Sequence, residues 1–301
     1  MIQIIQEISK TMNKKTVAVI GLGAMGSRIA LNLLKAGYSV VVHNRTIEKA
    51  QPLIEQGATL ATSPRAAAEQ SDVVISMVTD NEVSRQVWLS AETGAILGLN
   101  SDKIAIEMST LTVDWVRELN PAITQNGASF LDAPVVGSCP QAESGKLISL
   151  VGGQVETLTQ VQPILNAAGV ASIHHIGDVG QGMAMKLAVN ALFGIQVAAL
   201  AELLGMLSKD GISPERAMEC LWDLPVMSLA AKGAGSLMVS ENHAPLFPIA
   251  LVEKDFRYAT QTAQNLEATI PTVTAVMDIY RNAIAQGHGS ENITGIAQLF
   301  I

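Results

Sequence analysis

The chain has 301 residues, enough for two domains and a substantial core, and carries 19 Lys and Arg against 27 Asp and Glu, a formal charge of -8. That balance excludes an electrostatic case for nucleic acid or an anionic membrane as partner. Its cysteines, Cys139 and Cys220, stand far apart in no paired spacing, so neither a disulfide framework nor a thiolate metal site is expected and a reducing, cytoplasmic setting fits.

Residues 1–13 read as an N-terminal extension, because Met1 to Thr11 alternate apolar and polar types without the basic start and long apolar run of a signal peptide. From Thr16 to about Ile176, short β-branched runs alternate with amphipathic stretches, which predicts an α/β fold with a doubly wound parallel sheet. Strands are expected over 16–20, 39–43, 72–78, 103–108, 128–135 and 147–152, with helices over 24–35, 63–70, 113–126 and 155–168. The glycine-rich passage Gly177-Asp178-Val179-Gly180-Gln181-Gly182 ends this regime. The expected organisation is a Rossmann domain over 14–178 and an all-helical domain over 179–301.

The second domain opens with a stretch over 183–207 that is apolar except for Lys186, Asn190, Gln196, Glu202 and small residues. Those polar side chains make membrane insertion costly, and a helix buried on most sides accounts for the pattern. Further helices are expected over 213–222, 249–265, 271–285 and 293–299, two of them opening on Ser213-Pro214 and Ile270-Pro271, where a missing N–H costs little.

Gly21-Leu22-Gly23-Ala24-Met25-Gly26 follows an apolar strand and opens a helix, the context in which a GxGxxG motif binds a dinucleotide. Gly21 permits the tight turn, Gly23 lets the backbone approach the pyrophosphate and Gly26 lets helix and strand pack closely. The residue closing the second strand separates NAD from NADP, because an acid there repels a 2'-phosphate. This chain has Asn44-Arg45-Thr46 instead. Arg45 is expected to pair with the phosphate, with Asn44 and Thr46 as neutral donors, so NADPH (NADP) is the expected cofactor.

Lys186 and Asn190 are four apart and share one face of an otherwise apolar helix. Together with the glycine turn, Asp132-Ala133-Pro134-Val135-Val136-Gly137-Ser138, Gly180-x-Gly182-x-x-x-Lys186-x-x-x-Asn190 and Lys254-Asp255, they give the chain a resemblance to the β-hydroxyacid dehydrogenases, which include 3-hydroxyisobutyrate dehydrogenase and the glyoxylate and succinic semialdehyde reductases. The resemblance implies that Lys186 is the catalytic lysine and Asn190 its helical partner. It implies that Val78, Thr79, Thr110 and Lys254 bind the cofactor, and that Ser109, Val136, Gly137, Ser138, Phe247 and Asp255 bind substrate. In the family the segment matching 134–138 holds the substrate carboxylate. Here Val136 replaces the usual serine, and Gly137-Ser138 looks more like the glyoxylate and succinic semialdehyde reductase branch.

The expected function is therefore hydride transfer between NADPH and a small semialdehyde or oxo acid, with Lys186 as general acid and base. An imine reductase is the enzymatic alternative and a non-catalytic NADPH-binding protein the other. The imine reductases typically carry Asp or Tyr where Lys186 stands, which argues against the first. The paired His174-His175 has no third ligand at metal spacing, so no metal is expected. Apolar helical surface in the second half predicts a homodimer or homotetramer, with a small-molecule carbonyl or hydroxy-acid substrate and neither nucleic acid nor membrane as partner.

Overall fold

The computed structural model describes residues 15–301, so the extension expected over 1–13 lies outside the described residues. The chain divides into two compact units, one running to Met183 and one over Ala184–Ile301.

In the first unit, strands β1 (Val17–Ile20), β2 (Val40–His43), β3 (Thr59–Leu60), β4 (Val73–Ser76), β5 (Ile104–Glu107) and β6 (Ser129–Asp132) form a parallel array in the order β3-β2-β1-β4-β5-β6. β1, β4 and β5 are buried along their whole length, as continuous apolar runs covered on both faces should be. Helices α1 (Ala24–Lys35), α2 (Gln51–Ile54), α3 (Pro64–Glu69), α4 (Asn81–Leu89), α5 (Val113–Thr124), α6 (Cys139–Glu143) and α7 (Val155–Ala167) provide the coverings. α1 buries Gly26, Ile29, Ala30 and Leu33, the stripe that a 3.6-residue period brings to one side.

The far edge departs from the expected all-parallel sheet. The strand expected over 128–135 breaks at Ala133-Pro134, since proline has no N–H for the ladder. The chain resumes as β7 (Val135–Val136), which pairs antiparallel with β8 (Leu147–Gly153), and β8 separates it from β6. A ninth strand, β9 (Val170–Gly177), pairs in parallel with β8.

Helix α8 (Gln181–Lys209) begins at the end of this unit and continues into the second. Its first turn is capped from far away in sequence: Asp132, closing β6, accepts the N–H of Gly180 at 2.8 Å on Oδ1 and that of Met183 at 2.7 Å on Oδ2. Burial pushes the Asp132 carboxyl up, and these two bonds with the charge of Arg117 offset that rise only in part. A Cβ on Gly152 would stand 2.4 Å from Oδ1 of Asp132, so glycine there leaves the carboxylate its room.

The second unit is helical, with α9 (Pro214–Trp222), α10 (Leu229–Val239), α11 (Ile249–Asn265) and α12 (Pro271–Ala285) following α8, and the segment expected as a helix over 293–299 is a 3-10 helix. By length and composition α8 could cross a membrane, yet half of its most apolar window is buried within the protein. Val197, Ala198, Leu200, Ala201 and Leu204 pack with Phe256, Met277 and Tyr280 in one core. Gly194 permits a close approach, since a Cβ there would lie 2.4 Å from the Phe256 ring, and its carbonyl accepts the Tyr280 hydroxyl at 2.8 Å.

Candidate active site

In the dinucleotide-binding unit, Gly21 has φ +95°, which L side chains rarely adopt, and a Cβ on Gly26 would fall 1.9 Å from the Gly21 carbonyl oxygen. Gly23 is different. It caps α1 without any side-chain hydrogen bond, and a Cβ there would meet nothing within 4 Å. The amides of the first turn of α1 therefore face open space with the positive end of the helix behind them and no acid in that turn, which fits a pyrophosphate.

The loop after β2 is tied to this turn. Asn44 accepts the Leu22 N–H on Oδ1 at 2.9 Å and donates to the Thr46 carbonyl at 2.8 Å. One of its two amide protons is thus committed to shaping the loop, and the other is left for the phosphate-donor role expected from the sequence. Arg45 and Thr46 are exposed, and Arg45 makes no ion pair among the described residues, which leaves its guanidinium open to an anionic group.

At the ends of β4 and β5 the structure joins residues that were expected to serve separately. The Val78 N–H donates to the Ser109 hydroxyl oxygen at 2.8 Å, and the same hydroxyl donates to Glu107. Ser109 is 1% exposed. Its hydroxyl proton and the Val78 N–H are both committed to holding this loop, which leaves the Ser109 oxygen one acceptor site and Val78 its carbonyl. Thr79 is exposed and Thr110 half-buried. Glu107 was missed by sequence reasoning, although an acid closing an apolar strand was a visible signal.

In the 134–138 segment, Val136 is half-buried in β7 and Gly137 has φ +119°. The Ser138 N–H donates to Oε1 of Gln141 at 3.0 Å as the chain enters α6. No hydroxyl replaces the one that Val136 lacks at its own position.

The helical unit gathers Lys186, Asn190, Lys254 and Asp255, each less than a tenth exposed. Lys186 Nζ donates to Asn190 Oδ1 at 2.9 Å, and Asn190 Nδ2 donates to Asp255 Oδ2 at 2.6 Å. Lys254 Nζ lies 3.2 Å from Asp255 Oδ1 as an ion pair, although that oxygen receives no well-aligned hydrogen bond. Burial drives Lys186 down to about 8, with Asp255 pulling it up and Lys254 pushing it further down. A lysine so placed exchanges its proton near neutral pH, which an ordinary lysine does not. Phe247 is half-buried and its N–H donates to Asn292 Oδ1 at 3.0 Å.

Family comparisons agree with both halves. A profile for the NAD binding domain of 6-phosphogluconate dehydrogenase matches residues 16–177, and one for the NAD-binding of NADP-dependent 3-hydroxyisobutyrate dehydrogenase matches residues 180–300. The chain belongs to the β-hydroxyacid dehydrogenase family. It is 32% identical to the chloroplastic glyoxylate/succinic semialdehyde reductase 2 of Arabidopsis thaliana, over 94% of this chain and 78% of that one. The 3-hydroxyisobutyrate dehydrogenase of Mycobacterium tuberculosis, solved with L-serine, superposes with a TM-score of 0.86 at 26% identity, over 95% of this chain and 99% of that one. An imine reductase from Pseudomonas sp. reaches 0.64 at the same identity over 95% and 99%, a more distant branch. As a family member the protein is an NAD(P)-dependent oxidoreductase acting on a CH–OH group of a small molecule, with NADP(H) as its cofactor.

The two glycines give opposite expectations. Gly23→Ala should melt like the unaltered protein and weaken dinucleotide binding about tenfold to a hundredfold, because its Cβ takes only the ligand's space. Gly26→Ala should cost about 1–3 kcal/mol of stability, because its Cβ collides with backbone. Thermal melts and fluorescence titration with NADPH separate the two effects, and equal loss of stability in both variants would refute this reading of Gly23.

Proposed function

We propose that the protein is an NADPH-dependent reductase of a small semialdehyde or oxo acid, of the glyoxylate or succinic semialdehyde type, with Lys186 as the acid that protonates the carbonyl oxygen. The observation that carries this reading is the buried chain from Lys186 through Asn190 to Asp255. When bound, the cofactor supplies the hydride. Asn190 accepts from Lys186 and donates to Asp255, which fixes the direction of the ammonium. The carboxylate is thereby kept one residue away from the lysine it supports. In reduction the ammonium gives its proton to the oxygen as negative charge develops there; in oxidation the neutral amine takes it back. The candidate substrate contacts remain Gly137, Ser138, Phe247 and Asp255, with Val136 making the carboxylate loop one hydroxyl poorer.

We further infer that copies of the chain associate through the helical unit. Leu192, Leu203 and Met206 form one exposed stripe along α8, and Val226 and Leu229 are also strongly exposed. Light scattering should return the mass of a dimer or tetramer, and a monomer at micromolar concentration would exclude the association.

Two kinetic outcomes test the reading. With NADPH and a panel of glyoxylate, succinic semialdehyde, tartronate semialdehyde, methylmalonate semialdehyde and a cyclic imine, Lys186→Ala should lose about 10² to 10⁴ in turnover on the best substrate. Turnover near that of the unaltered enzyme would remove Lys186 from the chemistry. Because the lysine titrates at about 8, reduction should fall and oxidation should rise as pH passes through that value. Asp255→Asn, which removes the charge that raises it, should move both limbs to lower pH.

The second outcome concerns the cofactor. Arg45→Ala should weaken NADPH by about tenfold or more and leave NADH nearly unchanged, since a charged hydrogen-bond pair with the 2'-phosphate is lost. An equal effect on both dinucleotides, measured by titration, would take Arg45 out of that role.

A further inference from the structure

Glu107 closes β5 with no exposure at all. Oε1 accepts the Ser109 N–H at 3.0 Å and the Ser109 hydroxyl, while Oε2 accepts the Ser84 hydroxyl at 2.8 Å and the Trp88 indole N–H at 2.9 Å. Both hydroxyl protons are oriented by other bonds. Ser109 Oγ already accepts the Val78 N–H, and Ser84 Oγ accepts the Trp115 indole N–H at 3.0 Å, so each has its proton left for the carboxylate. Four donors thus converge on Glu107. An ionised carboxylate accepts all four, whereas a protonated one would set a donor against a donor.

This anion has no cation. Among the described residues no lysine, arginine or histidine lies within ion-pair distance of it; burial pushes the Glu107 carboxyl above its ordinary range, and the bonds from Ser109, Trp88 and Ser84, which pull it part of the way back, are what hold the charged form. Its register neighbour on β6, Asp132, differs in facing the amides at the start of α8. The nearest arginine along the Ser84–Trp115 branch, Arg85, stacks over the Trp115 ring and is paired with Glu118.

The sheet order says what stands in front of Glu107. With the pyrophosphate turn on β1 and the 2' side on β2, the nicotinamide half of the cofactor is left for the ends of β4 and β5, which carry Val78 and Ser109. The oxidised ring bears a positive charge and the reduced ring none. We propose that Glu107 is a specificity-determining residue for the redox state of the cofactor: its buried, unneutralised charge, held one serine behind the nicotinamide subsite, favours NADP+ over NADPH. Ser109 is the positioning residue that fixes that charge to the β4 loop. With the cofactor bound, a preference of Glu107 for the positively charged form would favour the direction that leaves NADP+, carbonyl reduction.

The inference rests on the NADP(H) reading above, and titration of the full chain separates the two. Dissociation constants for NADP+ and NADPH are measured for the unaltered protein, Glu107→Gln, Glu107→Asp and Ser109→Ala. Glu107→Gln should raise the ratio of the NADP+ to the NADPH constant by about threefold to tenfold, the size expected of a single charge at subsite range in a partly screened interior. Glu107→Asp should restore the ratio, and Ser109→Ala, which keeps the charge, should weaken both forms together. An equal loss of both forms in Glu107→Gln would make the residue merely structural and overturn the proposal. The unaltered protein provides a reading that does not depend on the Gln variant folding: NADP+ should bind at least as tightly as NADPH, and NADPH bound about tenfold tighter would overturn the proposal. If neither form bound the unaltered protein, the cofactor reading itself would fall.

Discussion

Where Gly26 passes Gly21, the backbone of α1 comes closer to the turn after β1 than any Cβ would allow. That approach places the first turn of the helix, rather than a side chain, at the end of the central strand, where its free amides offer a surface suited to an anion. The neighbouring parts of the unit are built to hold this arrangement still. Asn44 reaches across from β2 to the Leu22 amide, and a Cβ on Gly21 would strike the Met77 carbonyl after β4, so the ends of β1, β2 and β4 are mutually fixed.

Much of this was legible in the sequence because it is local. The strand, the glycine turn and the stripe of α1 follow from residue types at fixed spacing, and helices α11 and α12 have the limits that their periodicity and flanking residues predict. The far edge of the sheet was not legible, since whether the chain after Pro134 returns beside β6 or beyond β8 depends on pairing with a distant strand. Helix α4 was missed although Asp80 caps it by accepting the Val83 N–H at 2.9 Å. Its buried side is made by Ser84 and Trp88, a polar residue and a scattered tryptophan whose value appears only when Glu107 is opposite. Asn44 and Ser109 were recognised as site residues, but the direction of their hydrogen bonds is tertiary information.

Three buried ionisable groups show how differently this fold answers charge. Asp132 is met by the amides at the start of α8, so its partner is a helix end. Glu107 is met by two hydroxyls, an indole and one amide, all neutral, so its field is hydrogen-bonded but not cancelled. Lys186 reaches its counter-charge only through an amide. Each acid lies at the carboxyl end of a parallel strand, where doubly wound sheets place their ligands.

The amide between Lys186 and Asp255 is the informative choice. A carboxylate bonded directly to the lysine would hold the ammonium against the cost of burial and keep the proton on nitrogen through the working pH range. Exposure to water would do the same by removing that cost. With Asn190 interposed, the anion is near enough to raise the lysine but too far to pin it, while Lys254 occupies the other side of the carboxylate and weakens its pull. Burial then remains the largest influence, and the lysine settles near 8, where it both gives and takes a proton. The same spacing leaves Nζ with two further protons for a substrate oxygen, since only one is committed to Asn190.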